Sequence, residues 1–199
     1  MIRRTIAVAC FVAAFAATGA VAQAAPPHWI WAKPVEELPQ GKAVPIATEG
    51  ALGFTIIPAS GKKTTTKCKV EDRELIENPI GGGPGVDTMT AFVLSGCGKA
   101  ACSTGALIVF EAAGLPWATE LIAGTPIRDE IKGVQIQEQC GGLVMSTFEG
   151  NLTPEVKNYG GLTFGAGSGM LEDAFKNKME VKGTDKLIGP PPKSKIGAL

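Results

Sequence analysis

"TTTKCKVE" (64–71) is the stretch from which the fold is read. Lys67, Lys69 and Glu71 alternate with Thr66, Cys68 and Val70. A strand sends successive side chains to opposite faces, so the charged residues meet water while Cys68 and Val70 point into a core. "VQIQEQC" (134–140) has the same period: Gln135, Gln137 and Gln139 share one face, and Val134, Ile136, Glu138 and Cys140 the other. Both runs are half-buried strands that carry a cysteine inward.

Similar runs recur along the chain, punctuated by Gly, Pro and Asn. "VDTMTAFVLSG" (86–96) and "ALIVFEA" (106–112) are apolar on both faces and read as central, covered strands. The loop "GCGKAACSTG" (96–105) joins them as a hairpin. "PIRDEIKGVQIQEQC" (126–140) reads as a second hairpin turning at Lys132-Gly133, where glycine tolerates positive φ. Further strands are expected at 52–57, 73–78, 117–123, 142–150, 161–167 and 177–183, with one helical turn at 169–177. About ten short strands in one domain predict an all-β fold, a single antiparallel sandwich or barrel stapled by disulfides. This β domain spans 46–188. The Pro-rich segment 25–45 reads as an extended arm with Trp29 and Trp31 docked on the body, and 189–199 as a disordered tail.

The first 24 residues have the layout of a secretory signal peptide: Arg3 and Arg4, an apolar run from Ile6 to Ala16, then small residues ending at Ala22 or Ala24. That run is too short to span a bilayer, which takes roughly 20 residues, and no other stretch approaches it, so no transmembrane anchor is expected. Removing the leader takes away two of the 19 basic residues and none of the 19 acidic ones, leaving 17 against 19. So even a balance argues against a nucleic-acid partner and against docking on anionic lipid. The chain reads as secreted, extracellular or at the cell surface, with an unidentified extracellular or envelope partner.

Cys10 leaves with the leader, and Cys68, Cys97, Cys102 and Cys140 remain. An even number in an exported chain reads as two disulfides. The strand patterns pair the two core-facing cysteines, Cys68 with Cys140, and the two loop cysteines, Cys97 with Cys102. A zinc site usually needs four ligands and a cysteine nucleophile needs a base; His28 is the single histidine and serves neither purpose. No cofactor or metal is expected.

The candidate chemical motifs are incomplete. Pro26 and Pro27 deny His28 the backbone amides of an amino-terminal copper site. "AGSGM" (166–170) misses the nucleophile elbow, and "GGGPG" (81–85) fits no phosphate-binding loop. In "GLPWATEL" (114–121), Trp117 either offers a stacking platform to a sugar or anchors the core beside Leu121. In the hairpin reading of 126–140, Asp129 and Glu138 lie diagonally opposed on the inward face. Two carboxyls in unequal surroundings are what a glycosidase-type hydrolase needs.

Cys68, the Cys97-x4-Cys102 loop, "GLPWATEL", "TPIRDEIKGVQIQEQC" and "NLTPEV" with "LTF" (151–164) resemble a family of uncharacterised secreted bacterial β-rich proteins over residues 45–190. That resemblance implies no activity. Leu115-Pro116-Trp117 and the general layout are similar to the secreted alkane-oxidation activators, which implies an accessory role at hydrophobic substrates. The leading expectation is therefore a non-catalytic, exported β-domain that binds or scaffolds. The alternatives are a hydrolase using Asp129 and Glu138, and a carrier of a small apolar ligand.

Overall fold

The computed structural model describes residues 25–32, 35–98, 101–102, 105–157, 161–188 and 196–199. The expected leader, Cys10 included, lies outside the described residues. Fourteen strands are found among those described. The first two are short, β1 (Trp29–Ala32) and β2 (Val35–Glu37). Two long strands follow, β3 (Val44–Ile57) and β4 (Thr64–Glu77), and then β5 (Val86–Ser95), β6 (Ile108–Ala113) and β7 (Trp117–Ile122). The long β8 (Arg128–Cys140) turns into β9 (Leu143–Leu152). The remainder are β10 (Glu155–Val156), β11 (Leu162–Phe164), β12 (Met170–Glu172), β13 (Lys178–Leu187) and β14 (Ile196–Ala198).

Eight of these close an antiparallel barrel in the order β3, β4, β5, β7, β8, β9, β12, β13, and β13 pairs back onto β3. β6 extends the β7 position along β8, and β10 and β11 do the same beside β12. Along β4 the alternation is unbroken: Thr66, Cys68, Val70, Asp72, Glu74 and Ile76 point inward, and Lys67, Lys69, Glu71 and Arg73 face water. Closure between β3 and β13 depends on glycine. A Cβ at Gly50 would lie 2.2 Å from the Thr184 carbonyl oxygen, and one at Gly183 would lie 2.2 Å from that of Ala51. Only bare backbone allows the two strands to approach this closely.

β8 corrects the second hairpin. Lys132 and Gly133 do not turn the chain but form a bulge in one continuous strand. The register to β9 jumps from Ile131↔Leu152 to Val134↔Gly150, so two residues oppose Asn151 alone. Gly133 takes φ 65°, and its N–H donates to Asn151 Oδ1 at 3.1 Å. A bulge inverts the inward phase along a strand just as a turn does, which is why the two look alike in sequence. Asp129 and Ile131 before it, and Val134, Ile136 and Cys140 after it, all face inward.

The disulfide pairing is also corrected. The bonds are Cys68–Cys97 and Cys102–Cys140. The β4–β5 ladder runs to Lys69↔Ser95, and Gly98 N–H donates to Lys67 O, which lays Cys97 beside Cys68. Ile108 pairs Cys140 across β6 and β8, and Cys102 N–H donates to Ala106 O, which brings Cys102 to Cys140. Each loop cysteine therefore follows its own flanking strand. β4 and β8 stand three places apart around a ring of eight, which separates the two strand cysteines. Nor do the 86–96 and 106–112 segments form a covered hairpin: β5 pairs β7, β6 pairs β8, and Val93 and Val109 lie exposed on the outer wall.

β1 pairs with both β2 and β14, so that parts of the segment read as an extended arm and residues 196–198 of the segment read as a disordered tail form a small three-stranded sheet. Residues 189–195 of that tail lie outside the described residues. Trp29 is buried and donates from Nε1 to Val86 O at 3.2 Å. Asn78 fixes this cap: Oδ1 accepts from Trp29 N at 2.7 Å, and Nδ2 donates to Trp29 O and Leu38 O. The expected helical turn at 169–177 is instead β12 and a tight turn, in which Asp173 accepts from the backbone N–H of Phe175 and Asn177.

Candidate functional site

The barrel interior is layered. At the capped end Ile46, Ile76 and Leu121 pack on Trp29, Leu38 and Ala198. The larger apolar cluster fills the rest and includes Leu52, Val70, Met89, Ile131, Ile136 and Val181. Between the two lies a polar layer built by six wall strands: Thr48 from β3, Asp72 and Glu74 from β4, Asp87 from β5, Thr119 from β7, Asp129 from β8 and Asp185 from β13. All seven are buried, Asp72 and Asp129 to 1 % exposure.

No ion pair among the described residues involves these five acids. Thr48 Oγ1 donates to Asp72 Oδ1, and Leu162 N donates to Asp185 Oδ1 at 2.6 Å. One oxygen each of Asp72, Glu74 and Asp185 has no hydrogen-bond partner, whereas Asp87, Asp129 and Thr119 bond one another and Asp129 also meets the Glu120 backbone. Ionised carboxylates are costly to bury, so such groups keep their protons to higher pH than exposed ones do. Burial pushes Asp72 up to about 6, against the opposing bond from Thr48. It pushes Asp129 to about 7, against the nearby Thr119. Asp185 rises to about 8 through burial and the charge of Asp72. Glu74 and Asp87 also rise, from burial first and neighbouring carboxylates second. Among the described residues no three acidic, His or Cys side chains are grouped to hold a metal ion.

The opposite end is an apolar mouth. Ile108, Leu143, Met145, Gly141 and the Cys102–Cys140 bridge line a cavity of about 600 Å³, with Glu138 its one charged lining residue among those described. Burial, and then the charge of Asp173, raises the Glu138 carboxyl above its ordinary value. A second hollow of about 480 Å³ adjoins it through Met145 and is edged by Val144 and Phe175. Leu143 and Phe175 are 72 % and 73 % exposed.

The sequence matches no protein-family model, and comparison with curated proteins and with solved structures finds no match. The site residues read from sequence are therefore judged by their placement. Asp129 faces inward as expected, in the buried layer. Glu138 also faces the barrel interior, but at the mouth, nine residues further along the same strand. At 3.3 Å per residue that is roughly 30 Å at full extension, far beyond the spacing of a glycosidase pair. The structure does not bring the two together. Trp117 is no surface platform: it is 2 % exposed, packs against Phe92 at 5.4 Å and donates from Nε1 to Ala113 O. The core reading of Trp117 holds.

Sequence reasoning missed the carboxyl layer, although its signal was present. Asp72 and Glu74 continue the inward phase of Cys68 and Val70, and Asp87 shares the phase of Met89.

Proposed function

We propose that this chain is an exported, non-catalytic binding protein that takes a small, mainly apolar molecule at the mouth beside the Cys102–Cys140 bridge. The observation that carries this reading is the cavity of about 600 Å³ walled by Ile108, Leu143 and Met145. Its volume falls within the range of small-molecule sites, and its single acid offers one orienting polar contact. Exposed leucine, methionine and phenylalanine side by side are uncommon on a surface with no partner. Export is supported by the leader-like first 24 residues and by two disulfides, which belong to an oxidising compartment. Among the described residues no helix is long and apolar enough to cross a membrane. The likeness of Leu115-Pro116-Trp117 to the alkane-oxidation activators adds nothing at this site, because Trp117 lies in the core.

The test is titration with N-phenyl-1-naphthylamine, a neutral apolar dye that brightens when shielded from water. The purified chain is expected to give saturable enhancement. Leu143→Asp with Met145→Asp should weaken it at least tenfold, because a charge in the pocket must be desolvated. Both side chains are exposed, so thermal stability should hardly change. No saturable binding, or binding indifferent to the double variant, overturns the reading.

A further inference from the structure

Four connections ring the mouth end of the barrel: 58–63 between β3 and β4, the described part of 96–107 between β5 and β6, Gly141-Gly142 between β8 and β9, and 173–177 between β12 and β13. Leu107 and Met145 are each 59 % exposed there, and Val144 lies exposed between Leu143 and Met145. We propose that this end docks on an anionic lipid surface, with Leu107, Leu143, Val144, Met145 and Phe175 entering the headgroup region and Lys62, Lys63 and Lys178 meeting the phosphates. The cavity then opens toward the layer in which apolar molecules dissolve. That last step rests on the small-molecule reading of the cavity; the docking does not.

Two observations single out lipid. The first is the shape of the tip. Gly141 and Gly142 take positive φ and turn the chain in two residues. Leu143, Val144 and Met145 then follow one another, all exposed. Consecutive residues of a strand face opposite ways, so the tip is apolar on both faces. Leu143 lines the cavity, whereas Val144 edges the adjoining hollow. A folded partner covers one face of such a tip; a bilayer surrounds both. With Leu107 and Phe175, apolar side chains flank three of the four connections.

The second is charge. Among the described residues the four connections carry Lys62, Lys63 and Lys176 against one acid, Asp173. Asp173 is buried, and its carboxylate accepts from the Ser146 hydroxyl, the backbone N–H of Phe175 and Asn177, and the Asn177 amide. Lys176 pairs with Glu172 at 2.8 Å, but no ion pair among the described residues involves Lys62, Lys63 or the exposed Lys178. Ala59 N–H donates to Asn177 Oδ1 at 3.2 Å, which ties the turn bearing Lys62 and Lys63 to the one bearing Phe175. Lysines beside apolar tips suit a bilayer interface: their stems lie along the acyl boundary while their ammonium groups reach anionic headgroups. The near-even charge of the whole chain disfavours such lipid only on average, because here cations and apolar groups share one end.

The experiment sediments the intact, disulfide-bonded chain at pH 7 with vesicles of equal parts phosphatidylcholine and phosphatidylglycerol, and with vesicles of phosphatidylcholine alone. Binding to the mixed vesicles, weakened by salt and much poorer on phosphatidylcholine alone, is expected. Leu107→Asp with Phe175→Asp should lower it at least tenfold, because the new charges must be desolvated at the interface. Lys62→Glu with Lys63→Glu should lower it roughly tenfold on the mixed vesicles. All four side chains are exposed, so the thermal midpoint should hardly move. None of the four lines the cavity, so dye binding should persist in both variants. No sedimentation with either vesicle, equal binding to the two, or full binding by either variant each overturns the proposal. So does a dimer that forms in place of vesicle binding, since a second copy then covers the rim. Absent dye binding beside intact vesicle binding would count against the small-molecule reading alone.

Discussion

Reduction of both disulfides is expected to unfold this chain at room temperature. The bridges close segments of 29 and 38 residues. By the chain-entropy relation each restricts the unfolded state by about 4 kcal/mol. Together that is on the order of 8 kcal/mol, comparable to the whole stability of an ordinary domain. The load falls on these bonds because the interior gives up part of its volume to carboxyl groups, which contribute far less than apolar side chains in the same space. Circular dichroism and Trp117 fluorescence, followed with and without dithiothreitol at pH 7, check this. A cooperative loss of both signals on reduction is expected. A native spectrum that survives complete reduction would show that the barrel does not need its bridges. The paired variant Cys68→Ala with Cys97→Ala should lower stability by about half the full effect.

The second large effect is one of pH. Asp72, Asp129 and Asp185 ionise near pH 6, 7 and 8 in the folded chain, against an ordinary value of 3.8. Between those limits the folded chain keeps protons that the unfolded chain has released. Stability from this source is therefore fully present below about pH 4, falls as pH rises toward 8, and levels beyond it. Asp185 alone, displaced from 3.8 to about 8, stands for on the order of 5 kcal/mol over that window. Urea denaturation at pH 5 and pH 8 should show a markedly lower midpoint at the higher pH. Asp185→Asn should flatten that dependence and be more stable than the parent at pH 8, because it removes a buried group forced to ionise. Equal midpoints at the two pH values would mean that the layer is hydrated or paired.

Much of the fold was legible because alternation is a local property. From Lys67 and Lys69 against Cys68 and Val70 the whole of β4 follows, and with it an all-β domain with a water-facing wall. What failed was anything that depends on register between distant segments. The bulge at Gly133 and a hairpin turn write the same inversion of phase, so only the partner strand β9 distinguishes them. The cysteines pair according to where β5 and β6 end, and their spacing in the loop carries no trace of that. The cap rests on β14 meeting β1, a contact between the two ends of the chain that no nearby residue announces. The carboxyl layer is a different case. Asp72, Glu74 and Asp87 stood in the inward phase in plain view, but acids in a strand are ordinarily taken to face water.

The interior layer is the centre of this account, and carbon-13 NMR of the aspartate carboxyl carbons measures it directly. The account predicts that Asp129 and Asp185 remain protonated at pH 6 and titrate near 7 and 8. If every aspartate carboxyl instead titrates below about pH 5, as exposed carboxyls do, the layer is not sealed inside the barrel and the account is contradicted.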